Sequence, residues 1–139
     1  MALESTVDQA EGRVPITILT LVGELDGSNY QQVIDTVAGL YEGGARHLLL
    51  DLTGLEFISS AGLVALHTIL RQMQGAGPVD PEYGYAALRA INDDVDNNAV
   101  QTAVHLCGTQ EGVQKVLDRT GLGGLFPSHP DRATAIAAF

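Results

Sequence analysis

Two adjacent hydroxyls, Ser59 and Ser60, stand where a strand-like apolar pattern gives way to a helical one carried by Leu63, Leu66, Leu70 and Met73. A serine at such a junction has an ordinary use. Its oxygen accepts a hydrogen bond from one of the unpaired N–H groups of the helix's first turn. The same N–H groups, at the positive end of the helix, also suit a phosphoryl group. Either hydroxyl fits either use. A phosphate there would add about −1.5 to −2 charges. Ala61, Gly62 and Ala65 are small, so a partner surface is expected to approach this backbone closely, and burying a doubly charged group against it would be costly. Those are the parts of a binding switch.

Other chemistry is poorly supplied. There is no Gly-x-x-x-x-Gly-Lys phosphate loop and no Gly-x-Ser-x-Gly nucleophile turn. His47, His67, His105 and His129 show no metal-type spacing to one another or to Cys107. His105 alternates with Val104 and Leu106, which predicts a strand-packing role, and Cys107 at the end of that run reads as a buried, inert thiol. Asp94, Asp96 and Asn98 occupy positions 1, 3 and 5 of an EF-hand-like loop, but Ala99 replaces its glycine and His105 its bidentate glutamate, so a solvated loop is expected. No catalytic residue, metal or cofactor is assigned.

Composition narrows the partners. With 7 Lys+Arg against 17 Asp+Glu, the net charge is −10. A nucleic acid or an anionic membrane needs clustered cations, and none are present. No run approaches the roughly 18 apolar residues of a membrane span. The polar, acidic start lacks the features of a signal peptide, so a cytoplasmic location is expected.

The elements that must position the serines follow from periodicity. Residues 3–9 form a weak strand. Residues 14–22 form a strong one, with Val14, Ile16, Ile18 and Thr20 on one face and Thr17, Leu19 and Leu21 on the other. Gly23 to Gly27 reads as a loop, and Ser28 or Asp26 as the cap of a helix carrying Tyr30, Val33, Ile34, Val37 and Leu40, stopped by Gly43-Gly44. The run 47–52 is nearly all apolar, as in the centre of a parallel sheet. After the helix that opens near Ser60, residues 75–101 form an insertion far longer than the usual connection. Within it Tyr83, Tyr85, Leu88 and Ile91 have loose helical spacing over Pro81 to Ile91, predicting a peripheral flap. A strand at 103–107 follows, then a helix near 110 capped by Thr109 and ended by Gly121, and a last helix beginning near Pro130. The order β-β-α-β-α-insertion-β-α-α predicts an α/β fold with a mixed β-sheet and packed helices, one domain over 1–139.

Three segments, in this order, resemble the STAS family, whose bacterial members include the anti-sigma factor antagonists. They are Gly23-Glu24-Leu25-Asp26, then Asp51 through Phe57-Ile58-Ser59-Ser60-Ala61-Gly62-Leu63, then Val113 to Leu117 with Thr120-Gly121-Leu122 to Phe126. In that family the central segment reads Phe-x-Asp-Ser-Ser-Gly-Leu, and a partner kinase phosphorylates the first serine. The resemblance implies Ser60 as phospho-acceptor, with Ser59 as the fallback, and a partner surface drawn from Glu24, Asp26, Ser59, Ala61, Gly62 and Ala65. Ser59 stands where the family has an acidic residue, and Ala61 where it has the second serine. The implied partners are an anti-sigma factor with serine kinase activity, a phosphatase, and other STAS proteins. Two other readings stay open: a STAS module binding a small ligand, and an unphosphorylated scaffold subunit of a stress-signalling complex.

Overall fold

The computed structural model describes residues 3–75 and 103–139. Five strands form one sheet in the order β1-β2-β3-β4-β5. They are β1 (Leu3–Glu11), β2 (Pro15–Leu25), β3 (Leu48–Ile58), β4 (Val104–Cys107) and β5 (Ser128–His129). Only the β1–β2 pair is antiparallel, and the other three pairs are parallel. The helices are α1 (Tyr30–Glu42), α2 (Ser60–Met73), α3 (Glu111–Thr120) and α4 (Arg132–Ala138), with a 3-10 turn at Leu122–Leu125.

The sheet separates two cores, as the alternation in β2 predicts. Leu19, Leu21 and Leu25 pack with Val33, Val37, Leu63, Leu66, Ile69, Leu70, Val113 and Leu117, which places α1, α2 and α3 on one face. Ile16 and Ile18 pack with Leu49, Cys107 and Ala135, which places α4 on the other. The apolar run in β3 lies in the middle strand, where Leu48, Leu49, Leu50 and Leu52 are fully buried. Burial on this scale holds the sheet, at about 25 cal/mol per Å² of apolar surface removed from water.

Several boundaries differ from the periodic reading. Residues 23–25 and 53–58 are strand, not loop. Two irregularities in the β2–β3 register, at Thr20/Val22 and Gly23/Glu24, each place an extra residue on β3 and break its two-residue alternation over 53–58, while Gly23 makes the end of β2 resemble a turn. α1 starts at Tyr30 and neither Ser28 nor Asp26 caps it. Its first residue follows Asn29, while the Asp26 carbonyl accepts the N–H groups of Asn29 and Tyr30. α3 follows Gln110 with no side-chain cap, and the buried Thr109 hydroxyl makes no hydrogen bond. α4 starts at Arg132, capped by Asp131, whose carboxylate accepts from the N–H of Thr134 at 2.8 Å. The two-residue β5 is too short to show a period. Gly121 ends α3 as expected, at a φ of 78° that a side chain would resist. The helix expected over Pro81 to Ile91 and the loop around Asp94 lie outside the described residues.

Candidate partner-binding site

The parallel pairing of β2 and β3 brings the two motif segments to one end of the sheet. Leu25 is in register with Ile58, and the Ser59 N–H donates to the Leu25 carbonyl at 2.9 Å. The Glu24–Asp26 turn is held by a residue that periodicity does not flag. Asn29 is 8% exposed, donates from Nδ2 to the Glu24 carbonyl at 2.9 Å, and accepts at Oδ1 from the Asp26 N–H at 3.0 Å. The Asp26 carboxylate accepts from the Ser28 hydroxyl at 2.6 Å and from its N–H at 2.9 Å, and these two bonds hold its pKa below the ordinary carboxylate value.

The two serines have different places. Ser59 is the N-cap of α2, in an extended conformation, and its Oγ accepts from the Gly62 N–H at 3.3 Å. Ser60 is the first helical residue and is exposed. The first intrahelical bond runs from the Leu63 N–H to the Ser59 carbonyl. The N–H groups of Ser60 and Ala61 therefore precede the ladder and face outward demand. No acidic residue lies in the first turn of α2 to neutralise them.

Gly62 is there for packing. A Cβ at this position would meet Ile58 Cγ1 at 2.6 Å and the Leu25 carbonyl at 2.9 Å, so the helix can seat on the strand ends only without a side chain. Ala65 is fully buried and offers no surface, which removes it from the direct contacts expected of it. It belongs to a continuous buried stretch of α2 from Gly62 to Leu70. Glu24, Asp26, Ser59 and Ala61 are half-buried at the same end of the sheet as Ser60, with Glu24 on the face away from α2.

Two polar groupings lie elsewhere. Asp51, 6% exposed, accepts from Arg132 Nε at 2.6 Å and from the Thr53 hydroxyl at 2.6 Å, while Arg132 Nη2 donates to Thr20 Oγ1 at 2.7 Å. This network ties α4 to the sheet. Burial, together with the Asp51 carboxylate, pushes the Cys107 thiol up to about 11, in keeping with an inert residue. The histidines are less scattered than their spacing implies. His105 Nδ1 lies 3.0 Å from His129 Nε2, and His105 stacks on Phe139 at 3.9 Å. His105 thus packs in the strand as expected. Among the described residues no three His, Cys, Asp or Glu side chains group as a metal site. A cleft of about 520 Å³ beside Leu40 and His47 lies at the opposite end of the sheet from Ser60. No described helix is long and apolar enough to cross a membrane.

Comparison with known proteins agrees with this geometry. Residues 9–77 match the STAS domain model. Over 137 residues the chain is 26% identical to BtrV of Bordetella bronchiseptica, a protein assigned as an anti-sigma factor antagonist, covering 99% of this chain and 95% of that one. The crystal structure of an anti-sigma factor antagonist from Mycobacterium paratuberculosis superposes with a TM-score of 0.69 at 18% identity, over 99% of this chain and 93% of the other. The Bacillus cell fate determinant SpoIIAA in its phosphorylated form superposes with a TM-score of 0.60 at 15% identity, over 97% and 98% of the two chains. The sheet order, the helix that opens at Ser60 and the matched segment together identify residues 9–77 as a STAS domain.

Proposed function

We propose that this chain is a protein-binding switch of the anti-sigma factor antagonist kind, acting in the cytoplasm and controlled by phosphorylation of Ser60. The observation that carries the reading is the division of labour at the start of α2. Ser59 supplies the cap, so the neighbouring Ser60 hydroxyl stays exposed beside first-turn N–H groups. BtrV is assigned as an anti-sigma factor antagonist, and SpoIIAA has been described in a phosphorylated form. By analogy, the partner is an anti-sigma factor with serine kinase activity, docked over Ser60, Ala61 and the Glu24–Asp26 turn. A phosphoryl group on Ser60 would have to be desolvated against that docked surface, which favours release. A phosphatase would restore the binding form.

The test begins with the binding partner isolated from the host and identified. Wild type incubated with that partner and ATP should gain one phosphoryl mass, located at Ser60. Ser60→Asp should weaken binding by at least about tenfold, or about 1.4 kcal/mol, while Ser60→Ala binds like wild type and gains no phosphate. Equal binding by both variants, with no mass gain, would instead favour an unphosphorylated scaffold.

A further inference from the structure

We propose a second docking surface on the opposite face of the sheet from α2, built around Val22 and Phe57 and fitted to a protein partner that presents an apolar side chain flanked by lysine or arginine. Side chains of β2 alternate cleanly between faces. Leu19, Leu21 and Leu25 enter the core under α1 and α2, so Ile16, Ile18, Thr20, Val22 and Glu24 share the other face. α4 covers only the first part of that row. It packs on Ile16 and Ile18, and its first residue, Arg132, reaches Thr20. A helix of seven residues is about 10 Å long, whereas the eleven residues of β2 extend for about 35 Å. Beyond Thr20 no described element packs on this face.

The open part is apolar at its centre. Val22 is 43% exposed and Phe57 48% exposed, two of the three large hydrophobic side chains left in solvent among the described residues. Both lie on adjacent strands. Val22 is in register with Gly54, which has no side chain to shield it, and Glu24 is in register with Phe57. A Cβ at Gly54 would meet Val22 at 2.8 Å, so the valine lies directly over that glycine. A solvent-exposed phenylalanine of this kind is a candidate anchor, since buried aromatic anchors dominate interface energetics.

Charge selects the occupant. Glu4 is directly opposite Val22 on β1, Glu24 neighbours Phe57, and Glu56 is the extra residue of the β3 bulge beside it. From residue 15 to residue 58 the chain has a single Lys or Arg, Arg46, which lines the cleft at the far end. The guanidinium of Arg132 is engaged by Asp51 and Thr20. An apolar centre with an acidic rim complements an apolar anchor with a basic rim. Two copies of this chain would oppose glutamate to glutamate across a two-fold contact, which argues against self-association.

An amphipathic peptide with leucine on one helical face and lysine on the other provides the probe, with a leucine/glutamate peptide as its counterpart. Amide NMR shifts in the full chain should cluster at Val22, Glu24, Gly54 and Phe57. Phe57→Ser should weaken the lysine peptide by about tenfold, and a Glu24→Lys/Glu56→Lys double variant should weaken it and flatten its salt dependence. Because Phe57 is exposed, the variant should melt like wild type, and Val22→Thr provides a second, milder test. Ser60→Asp should leave this binding intact, which separates the surface from the switch at α2. Shifts centred elsewhere, indifference to Phe57→Ser, tight binding of the glutamate peptide, or a dimer formed through this face would each overturn the proposal.

Discussion

Removing the Ser59 hydroxyl and removing the Ser60 hydroxyl should have opposite consequences for stability and for binding. Loss of an N-cap serine costs about 0.5–2 kcal/mol. The bond from the Gly62 N–H to Ser59 Oγ is 3.3 Å, at the long end for N–H···O, which places this cap in the lower half of that range. We expect Ser59→Ala to cost about 0.5–1 kcal/mol. α2 contributes Leu63, Leu66, Ile69 and Leu70 to the main core, so fraying at its start enters the global transition. For a chain of 139 residues, each kcal/mol moves the melting temperature by about 4 °C, giving a drop of about 2–4 °C. Ser60 is exposed, so Ser60→Ala should fall within about 0.5 kcal/mol of wild type, and alanine's helix propensity leans it toward a gain. Urea unfolding followed by far-ultraviolet circular dichroism, with m unchanged, measures both. Phosphoryl incorporation by the partner should show the reverse order, lost in Ser60→Ala and kept in Ser59→Ala. If Ser60→Ala costs as much stability as Ser59→Ala, the separation of cap from acceptor is wrong.

The remaining predictions concern the neighbourhood of that helix start and the network beneath α4. Gly62→Ala gains up to about 1 kcal/mol of helix propensity but forces a methyl group to within 2.9 Å of the Leu25 carbonyl, which cannot move freely, so a net loss of about 1–2 kcal/mol is expected in chemical unfolding. Ser59→Asp keeps a capping oxygen and adds a charge at the positive helix end, so the melting temperature should rise by an amount equivalent to about 0.3–1 kcal/mol, and fall back at high salt. Asp51→Asn should cost about 1–2 kcal/mol near neutral pH by loosening Arg132 and Thr53, discounted because Arg132 is partly exposed. Burial opposes the Asp51 charge, yet the hydrogen bonds from Thr53 and Arg132 hold its pKa below the usual carboxyl value of 3.8. Its contribution is therefore present above about pH 4 and lost as pH falls below it, so the gap between wild type and Asp51→Asn should close in acid.

Much of the scaffold can be read from spacing, because its physical causes are local. β3 announces itself through Leu48, Leu49 and Leu50, buried on alternate faces of a central strand, and α1 through its apolar stripe and the glycines that follow. Features that depend on the third dimension are hidden. Phe57 continues β3 through two bulges, which erase the alternation that would mark it, and Glu24 follows a glycine that reads as a turn. Ala65 is fully buried, so small size there reflects close packing, not access for a partner. Asn29 looks like any loop asparagine until its two hydrogen bonds to the Glu24–Asp26 turn are seen. His105 and His129 are 24 residues apart and meet only because β4 pairs with β5. Val22 and Phe57 likewise become neighbours on one face only through the β2–β3 register.

The replacement of the family's acidic residue by Ser59 also has a physical account in this geometry. That position is the N-cap of α2, with φ −93° and ψ 178°, and what it must supply is an oxygen to accept the Gly62 N–H. Aspartate and serine meet that need about equally, so the fold tolerates the exchange. They differ in charge. A carboxylate at the cap would compete with a phosphoryl group on Ser60 for the same first-turn N–H groups and repel it across a single residue. With a neutral cap, the N–H groups of Ser60 and Ala61 meet no fixed negative charge within the first turn. The departure from the motif therefore leaves the positive end of α2 more open to an anion.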